Sequence, residues 1–551
     1  MNRGRWKTLR ETAAAHGFSP LEIHRYCNRP RALCERINTN VQHIPVIAAD
    51  HLQPTQLVLI GFGMVSRTLA TIMLQTDSRF ARLPIVIIEA KKIVGAAATS
   101  KHSESSGHCN YDETSDEHES EIIHSEVFAK LMAANSNVTA VNVKLTRDNY
   151  QQVFAKYVKN GAIVVDLAVR LGTAQLVAEC RRRHCVYVNT AIDTWKHTDE
   201  SLFSLKQSIL EQVREADNAA GSNEKQQQGK QMTAVFNHGM NPGLVSHFVK
   251  YLLRSLSSRG KDSRAKPKPY NEIARDLGLT LIQIAERDTQ TSAHLTTEKC
   301  FYNTWSVVGF VDEATLPTEI SWGTHEAALP YHASKRARKA STQIILPIPG
   351  YQVRTRSYEP KGGAFTGYCI PHAEAYSIAN YLRVGDTYNP SVYYSYLVPD
   401  TAKLIAHYLD YALNDQHLPK REHVLRSDEI SGGYDSVGIL AFFRRRPDGP
   451  LKKYWVGSIV SNDMARAISP EINGTCMQVA ISVLACIEWM VANPHKGIVE
   501  PEEVDSDFVI DYCRDWLGEF FMADVTAECA DIDSDQLSQL LAAPSHILFD
   551  E

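Results

Sequence analysis

The chain contains 11 cysteines, yet no two are spaced as CxxC. The nearest couple, Cys180 and Cys185, is joined by a basic stretch with no second pair or ligand histidines beside it. That pattern argues against a disulfide framework and a structural zinc site, and predicts a reduced, cytoplasmic chain. An excess of one charge is missing too: 58 Lys and Arg stand against 63 Asp and Glu, a formal net charge of −5. General nucleic-acid binding needs a dense basic footprint, so that class is excluded. The most apolar late stretch, Val479–Val491, carries Glu488 and reads as too short to span a bilayer. Met1–His16 has no apolar core, so a secretory leader is not expected. Internal repeats are absent. What is present is the balance of a folded protein, 44% hydrophobic and 22% charged residues over 551 positions. At that length about two to four units are expected.

Residues 1–50 read as a short helical preamble ending near Pro45. Gln56–Ile60 is a continuous apolar run, as buried parallel strands are. Gly61-Phe62-Gly63 follows at once, Val65–Gln75 has helical periodicity, and Ile85–Ile88 is a second apolar run ending on Glu89. This is strand, glycine turn, helix, strand, the βαβ unit of a parallel sheet. The stretch 96–125 is rich in Ser, His and acids. Its four histidines and Cys109 raise metal binding, but its composition predicts a solvated loop. Ala162–Val169 and Val186–Asn189 read as further buried strands, and 221–229 as a polar connector. From about 245 to 455 the pattern turns to aromatic-rich alternating strands, and Lys453–Ile459 with Gln478–Val491 reads as a return to the first unit.

In a nucleotide-binding turn, the first glycine permits the sharp reversal from strand to helix. The second lets backbone N–H groups approach a pyrophosphate at the positive helix N-terminus. Gly61 and Gly63 fill those places, and Ser66 stands where a third glycine would be. Glu89 lies 26 residues beyond Gly63, near the spacing of a ribose-binding acid. A carboxylate there favours NAD over NADP, while Lys91 and Lys92 weaken that preference.

Later motifs occur in order: Asn237-His238-Gly239-Met240-Asn241-Pro242-Gly243, Glu286-Arg287-Asp288-Thr289, Asn303-Thr304-Trp305-Ser306, Trp322-Gly323-Thr324-His325-Glu326, His372-Ala373-Glu374-Ala375 and Pro390-Ser391-Val392-Tyr393-Tyr394. From about residue 55 to 510 the chain resembles bacterial homospermidine synthases, within the saccharopine dehydrogenase-like superfamily. The resemblance implies an α/β fold, a Rossmann-type doubly wound parallel sheet with an inserted α+β substrate and dimerisation domain. The expected boundaries are an extension over 1–50, an NAD-binding domain over 51–244, the α+β domain over 245–455, and a segment over 456–551 that returns to the first domain. It also implies NAD as a recycled cofactor, putrescine and spermidine as polyamine substrates, and a homodimer or higher homo-oligomer. Neither nucleic acid nor membrane is an expected partner.

The chemistry sets what the residues must do. A diamine at neutral pH is a dication, but hydride leaves only from carbon next to a neutral amine. One carboxylate must therefore hold the distant ammonium while another group takes the reacting proton. Glu286 follows an apolar strand, Leu279–Ala285, and the resemblance makes it the ammonium anchor; an ion pair with Arg287 is its bland alternative. Trp305 suits a cationic intermediate through its indole face, although core packing is the usual fate of a Trp. His372 is the expected proton shuttle and Glu374 an amine-binding or basic carboxylate. On a strand the two would share a face, and in a turn entering a helix they could still converge.

Asp193, Asn241 and Asp435 are the expected substrate contacts, and Gly61, Gly63, Met64, Val65, Ser66, Glu89, Asn241 and Pro242 the cofactor contacts. Asp435, in a Gly-Gly-Tyr-Asp segment, reads equally as a turn aspartate. No metal is expected. Two positions depart from the family pattern: Asp193 stands where Glu is expected, and Val308 where an acid is expected. Two other readings stay open. One is a carboxyspermidine- or saccharopine-type NAD(P)-dependent dehydrogenase; the other is a non-catalytic NAD-binding regulator.

Overall fold

The computed structural model describes residues 52–95, 122–196, 201–219, 231–258, 268–297, 300–326, 334–335, 342–403, 405, 408–409, 421–446 and 448–532. The preamble over 1–50, the connector over 221–229 and most of the His-rich stretch lie outside the described residues. The end of that stretch, Ile122–Ser125, is a strand paired with Lys92–Gly95 rather than loop.

Leu57–Ile60, Ile163–Asp166 and Val186–Asn189 are buried at every position, and Ile85–Glu89 at all but the last. Burial on both faces explains why these strands read as unbroken apolar runs. They belong to a seven-stranded sheet whose spatial order is Ile498–Val499, Ala234–Val235, Val186–Asn189, Ile163–Asp166, Leu57–Ile60, Ile85–Glu89, Val138–Asn142. Every pairing is parallel. From the central strand Leu57–Ile60 the chain first builds outward on one side, then crosses to Ile163–Asp166 on the other. A crevice opens beyond the carboxyl ends of strands where the order reverses, and doubly wound sheets bind ligands there.

The second sheet is mixed, with Leu279–Asp288 near its centre. That strand runs parallel to Ser391–Leu397 and antiparallel to Tyr434–Phe443. Alternation assigns its faces. Ile282 and Ile284 share one apolar cluster with Val392, Val437 and Ile439, whereas Leu281, Ala285, Leu440 and Phe442 belong to the opposite cluster. The first cluster continues into the nucleotide sheet through Leu57 and Leu59, so this face looks toward the first domain.

The helix Gly474–Ala492 lies between the two sheets, against Met64–Gln75 on one side and strands Tyr434–Phe443 and Lys452–Ser461 on the other. It is apolar nearly all round because it is buried nearly all round, which is the pattern of a core helix.

The route back to the first domain differs from the sequence reading. Lys452–Ser461 pairs with Tyr434–Phe443 inside the second sheet, and Glu519–Asp524 extends that sheet further. The helix Gly474–Ala492 and the edge strand Ile498–Val499 pack onto the first domain, and Glu471 just before that helix accepts from Ser125 and the Glu126 N–H. Apolar alternation marks a strand, but both sheets accept the same alternation, so pairing had to be settled by tertiary contact.

Candidate active site

The glycine turn is built for close approach. Gly61 has φ 85°, and a Cβ there would stand 3.2 Å from Ala168, so both conformation and space require glycine. A Cβ at Gly63 would meet nothing within 4 Å, because the space before the helix Met64–Gln75 is open. No side chain caps that helix, which leaves its first N–H groups available to an anion. Ser66 replaces the third glycine without filling the crevice: it is buried and its hydroxyl donates to the Gly61 carbonyl at 2.6 Å. Met64 is buried and Val65 half-buried beside it. Glu89 comes up against the turn, accepting from the Phe62 N–H at 2.6 Å and the Lys91 N–H at 3.0 Å. Lys91 and Lys92 line an adjoining cavity with Ile93 and Ala140–Asn142. These features fit a dinucleotide, with the pyrophosphate at the helix N-terminus and a ribose at Glu89.

Across the crevice, strand register gathers three carboxylates. Glu286 and Asp288 are two apart on one strand and share a face. Asp435 stands directly opposite Asp288 on the antiparallel neighbour. Their exposures are 3%, 2% and 0%. Like charges directly opposed in a sheet are destabilising, and here burial compounds the cost. Their hydrogen-bond partners are neutral. Glu286 Oε2 accepts from Asn241 Nδ2 at 2.5 Å and Tyr394 OH at 2.6 Å. Asp288 accepts from Thr304 Oγ1 at 2.7 Å and the Gln290 N–H at 2.8 Å, and Asp435 from Gln478 Nε2 at 3.1 Å.

Burial raises all three carboxyls above their ordinary range, Glu286 to about 7, and for Asp435 the neighbouring Glu286 and Asp288 add to it. Arg287 points to the opposite face, where it pairs with Glu359 at 3.5 Å. Glu286 is therefore not half of a local ion pair. The arrangement is a buried acidic cluster whose ionised form a bound cation would stabilise.

A carboxyl whose folded pKa is raised binds its proton more tightly folded than unfolded, so its contribution to stability falls as pH rises toward the raised value. Asp435→Asn removes that loss. The ligand-free variant is expected to gain thermal stability over wild type, the gap widening by a few degrees as pH rises above the ordinary aspartate value of about 4. Parallel thermal scans check this, and a gap that stays flat with pH would contradict the clustering.

His372 caps the helix Ala373–Tyr381 from extended backbone, and Glu374 lies in its first turn. The turn into the helix makes the two converge: Nδ1 lies 2.8 Å from Glu374 Oε1. Nε2 faces Glu313 Oε2 at 3.3 Å. Burial alone would lower the imidazole, yet Glu374 and Glu313 together hold it well above its ordinary value. With an acid at each nitrogen, both ring nitrogens act as donors only as imidazolium. The His372 ring packs tilted against Tyr394 with centroids 4.3 Å apart, and the Tyr394 hydroxyl holds Glu286, so shuttle and anchor share a neighbour. Trp305 donates from Nε1 to Tyr396 OH at 3.0 Å, and Tyr396 stacks on Tyr394 at 5.6 Å.

Asn241 reaches this cluster from the first domain. Its turn leaves the strand Ala234–Val235 with a cis Asn241–Pro242 bond and Gly243 at φ 129°, where a Cβ would collide with the Gly239 carbonyl. Asn241 thus joins the nucleotide side to Glu286, and Pro242 follows it in the turn.

Asp193 is placed apart from the cluster. Its carboxylate accepts from the N–H groups of Arg170 and Thr194, and the Arg170 side chain pairs with Asp312 at 2.9 Å. Val308 lies in the first turn of the helix Val307–Thr315, and Asp312 and Glu313 lie on its next turn. Asp288, Glu313, Tyr394 and Tyr396 were not singled out from the sequence. The spacing of Asp288 from Glu286 and of Tyr396 from Tyr394, each two residues on a strand, was the available signal. Among the described residues no His, Cys, Asp and Glu group has the geometry of a metal site.

The chain is similar to known proteins over most of its length. The model of the saccharopine dehydrogenase NADP binding domain matches residues 57–222, and that of the saccharopine dehydrogenase C-terminal domain matches 239–521. The homospermidine synthase of Mesorhizobium japonicum is 32% identical over 395 residues, covering 69% of this chain and 79% of that protein. That of Blastochloris viridis is 31% identical over 410 residues, covering 71% and 82%. Among solved structures, the homospermidine synthase of Legionella pneumophila in complex with NAD superposes with a TM-score of 0.69 at 28% identity, covering 85% of this chain and 91% of that one.

Proposed function

The chain belongs to the homospermidine synthase family of saccharopine dehydrogenase-like enzymes, and from that premise we propose how its own residues carry out the coupling of two putrescines. The observation that carries the reading is the buried trio of Glu286, Asp288 and Asp435, held only by neutral donors. A dicationic diamine supplies what that trio lacks. Reductive amination of an amino acid would instead call for a cation to clamp a carboxylate, and among the described residues no Lys or Arg hydrogen-bonds to the trio.

Bound at the Gly61–Ser66 turn and Glu89, NAD would accept a hydride from the amine-bearing carbon and return it at the end of the cycle. The protein does the rest. Glu286, with Asn241 and Tyr394 fixing its oxygen, orients the first diamine. Asp288 and Asp435 hold ammonium charge deeper in the cluster. Proton transfer from the reacting amine to the Glu374 carboxylate leaves the amine neutral, and hydride loss then gives an iminium. The Trp305 indole, with Tyr394 and Tyr396 near it, favours that cation by about 0.5–2 kcal/mol. The second putrescine adds to the iminium carbon and the original nitrogen departs as ammonia. His372, held between Glu374 and Glu313, gives and regains the protons of that exchange. Burial keeps water from hydrolysing the iminium to an aldehyde.

Incubation with putrescine and NAD is expected to give homospermidine and ammonia in equal amounts, without lasting NADH. Chromatography of the products checks this, and steady NADH formation with no polyamine product would overturn the reading. Substituting NADP tests the Glu89 preference in the same assay, with slower product formation expected. The proposal includes a cytoplasmic setting, supported by the described cysteines being free and buried. It also includes spermidine as a second amine and assembly as a homodimer or larger homo-oligomer.

A further inference from the structure

The site is assembled from two separately delivered halves. Asn241, which holds Glu286, lies in the turn that opens the helix Leu244–Ser257. His372 and Glu374 open the helix Ala373–Tyr381. These helices are more than a hundred residues apart in the chain, so their spacing depends on contacts made elsewhere.

One buried carboxylate provides such a contact. Glu502 is 2% exposed and lies in the short turn Pro501–Glu503, just after the edge strand Ile498–Val499. Its Oε1 accepts from Ser246 Oγ at 2.7 Å and from Ser377 Oγ at 2.9 Å. Ser246 is three residues past Gly243 in the first helix, and Ser377 three past Glu374 in the second. Glu502 Oε2 has no hydrogen-bond partner among the described residues.

The turn is fixed on its own account. Lys250 Nζ donates to the carbonyls of Glu502 and Val504, each at 2.8 Å, which ties the turn to the helix bearing Ser246. Glu500 and Glu503 cap the turn reciprocally. The same helix is also joined back to the start of the Asn241 turn. His247 Nε2 lies 3.2 Å from His238 Nε2, and the His238 N–H donates to the Asn189 carbonyl at 2.8 Å. A displacement of the helix would therefore be passed to Asn241 at both ends of its loop. A buried acid is an expensive way to fill space, and apolar residues replace such groups at no loss of stability in other folds. Its placement between two helices that each open with site residues gives it another use.

We propose that Glu502 is a positioning residue: one carboxylate oxygen, shared by Ser246 and Ser377, sets the spacing between the Asn241–Glu286 pair and the His372–Glu374 pair. This rests on the reading of those four residues as the polyamine site. Because the spacing separates the ammonium anchor from the proton shuttle, it also governs which diamine length reacts. A misplacement of the order of 1 Å is enough to cost about a hundredfold in rate, so a loosened clamp reads out in kcat.

The test compares wild type, Ser246→Ala, Ser377→Ala, the double variant, Glu502→Gln and Glu502→Ala as intact enzymes. Homospermidine formation, KM for NAD and thermal stability are measured for each. Each serine variant is expected to lose about tenfold in kcat, with KM for NAD within about twofold of wild type. The double variant should be no worse than the worse single, since both changes break one bridge. Glu502→Gln keeps an acceptor oxygen and should retain most of the activity, whereas Glu502→Ala should match the double variant. The preference for putrescine over its three- and five-carbon homologues should narrow in the variants that lose the bridge. Additive serine effects, or lowered stability with kcat and length preference unchanged, would overturn the clamp. A wild type that makes no homospermidine would overturn the underlying reading, and the clamp with it.

Discussion

Glu286→Gln is expected to lower kcat/KM for homospermidine formation by about 10²–10⁴-fold, the range of a positioned proton-handling or charge-pairing group. The side chain keeps its shape, so packing in the second sheet is preserved. What is lost is the negative charge that faces the substrate, while Asn241 and Tyr394 keep a carbonyl oxygen to donate to. Binding of NAD should be little changed, because Glu286 lies across the crevice from the Gly61–Ser66 turn.

The wild-type pH profile supplies the companion result. With Glu286 raised to about 7, its ionised form is gained as pH rises through that value. In the free enzyme kcat/KM for putrescine should rise correspondingly between about pH 6 and pH 8, and that limb should be missing from the Gln variant. Steady-state rates across that range check both, and a variant within a few fold of wild type would remove Glu286 from the site.

His372→Gln is the second large effect, expected to lower kcat by about 10²–10³-fold with KM for putrescine changed much less. Gln reaches Glu374 or Glu313 with a hydrogen bond but cannot give and regain a proton. The two acids hold the wild-type imidazole protonated well above its ordinary range. The descending limb of the kcat profile should therefore lie on the alkaline side and vanish in the variant. Single-turnover measurement separates the steps. If hydride removal slows as much as the amine exchange, His372 serves the first proton transfer as well as the later ones. An unchanged kcat would exclude it from proton transfer altogether.

These two residues were legible in the sequence for different reasons. Glu286 ends an apolar strand, where alternation already separates it from Arg287, and the observed Arg287–Glu359 pair on the other face follows from that alternation. His372 and Glu374 could be named as a pair, but whether they touched depended on the backbone between them. The helix start at Ala373 settles it, bringing Nδ1 to 2.8 Å from the acid. Glu313 was beyond reach of the sequence reading, because its partner lies 59 residues away. Asp288 was hidden in a motif already credited to Glu286, and its importance comes from Asp435 standing opposite it.

The nucleotide crevice, by contrast, is almost wholly local. Strand, glycine turn, helix and second strand lie within one continuous stretch, and short-range sterics dictate the turn, with Gly61 at φ 85°. The sequence by itself thus determined the βαβ unit, the candidate cofactor turn, and the residue types needed for amine chemistry. Tertiary structure alone decided which strands of the second sheet are neighbours. It set Asp288 against Asp435 and packed Tyr394 against His372. It also drew Lys452–Ser461 into the second sheet instead of returning it to the first. The physical reason is range: dihedral preference and apolar period act between near neighbours in the chain. Register between distant strands is fixed only when whole faces are buried together, and the acidic cluster exists only in that register.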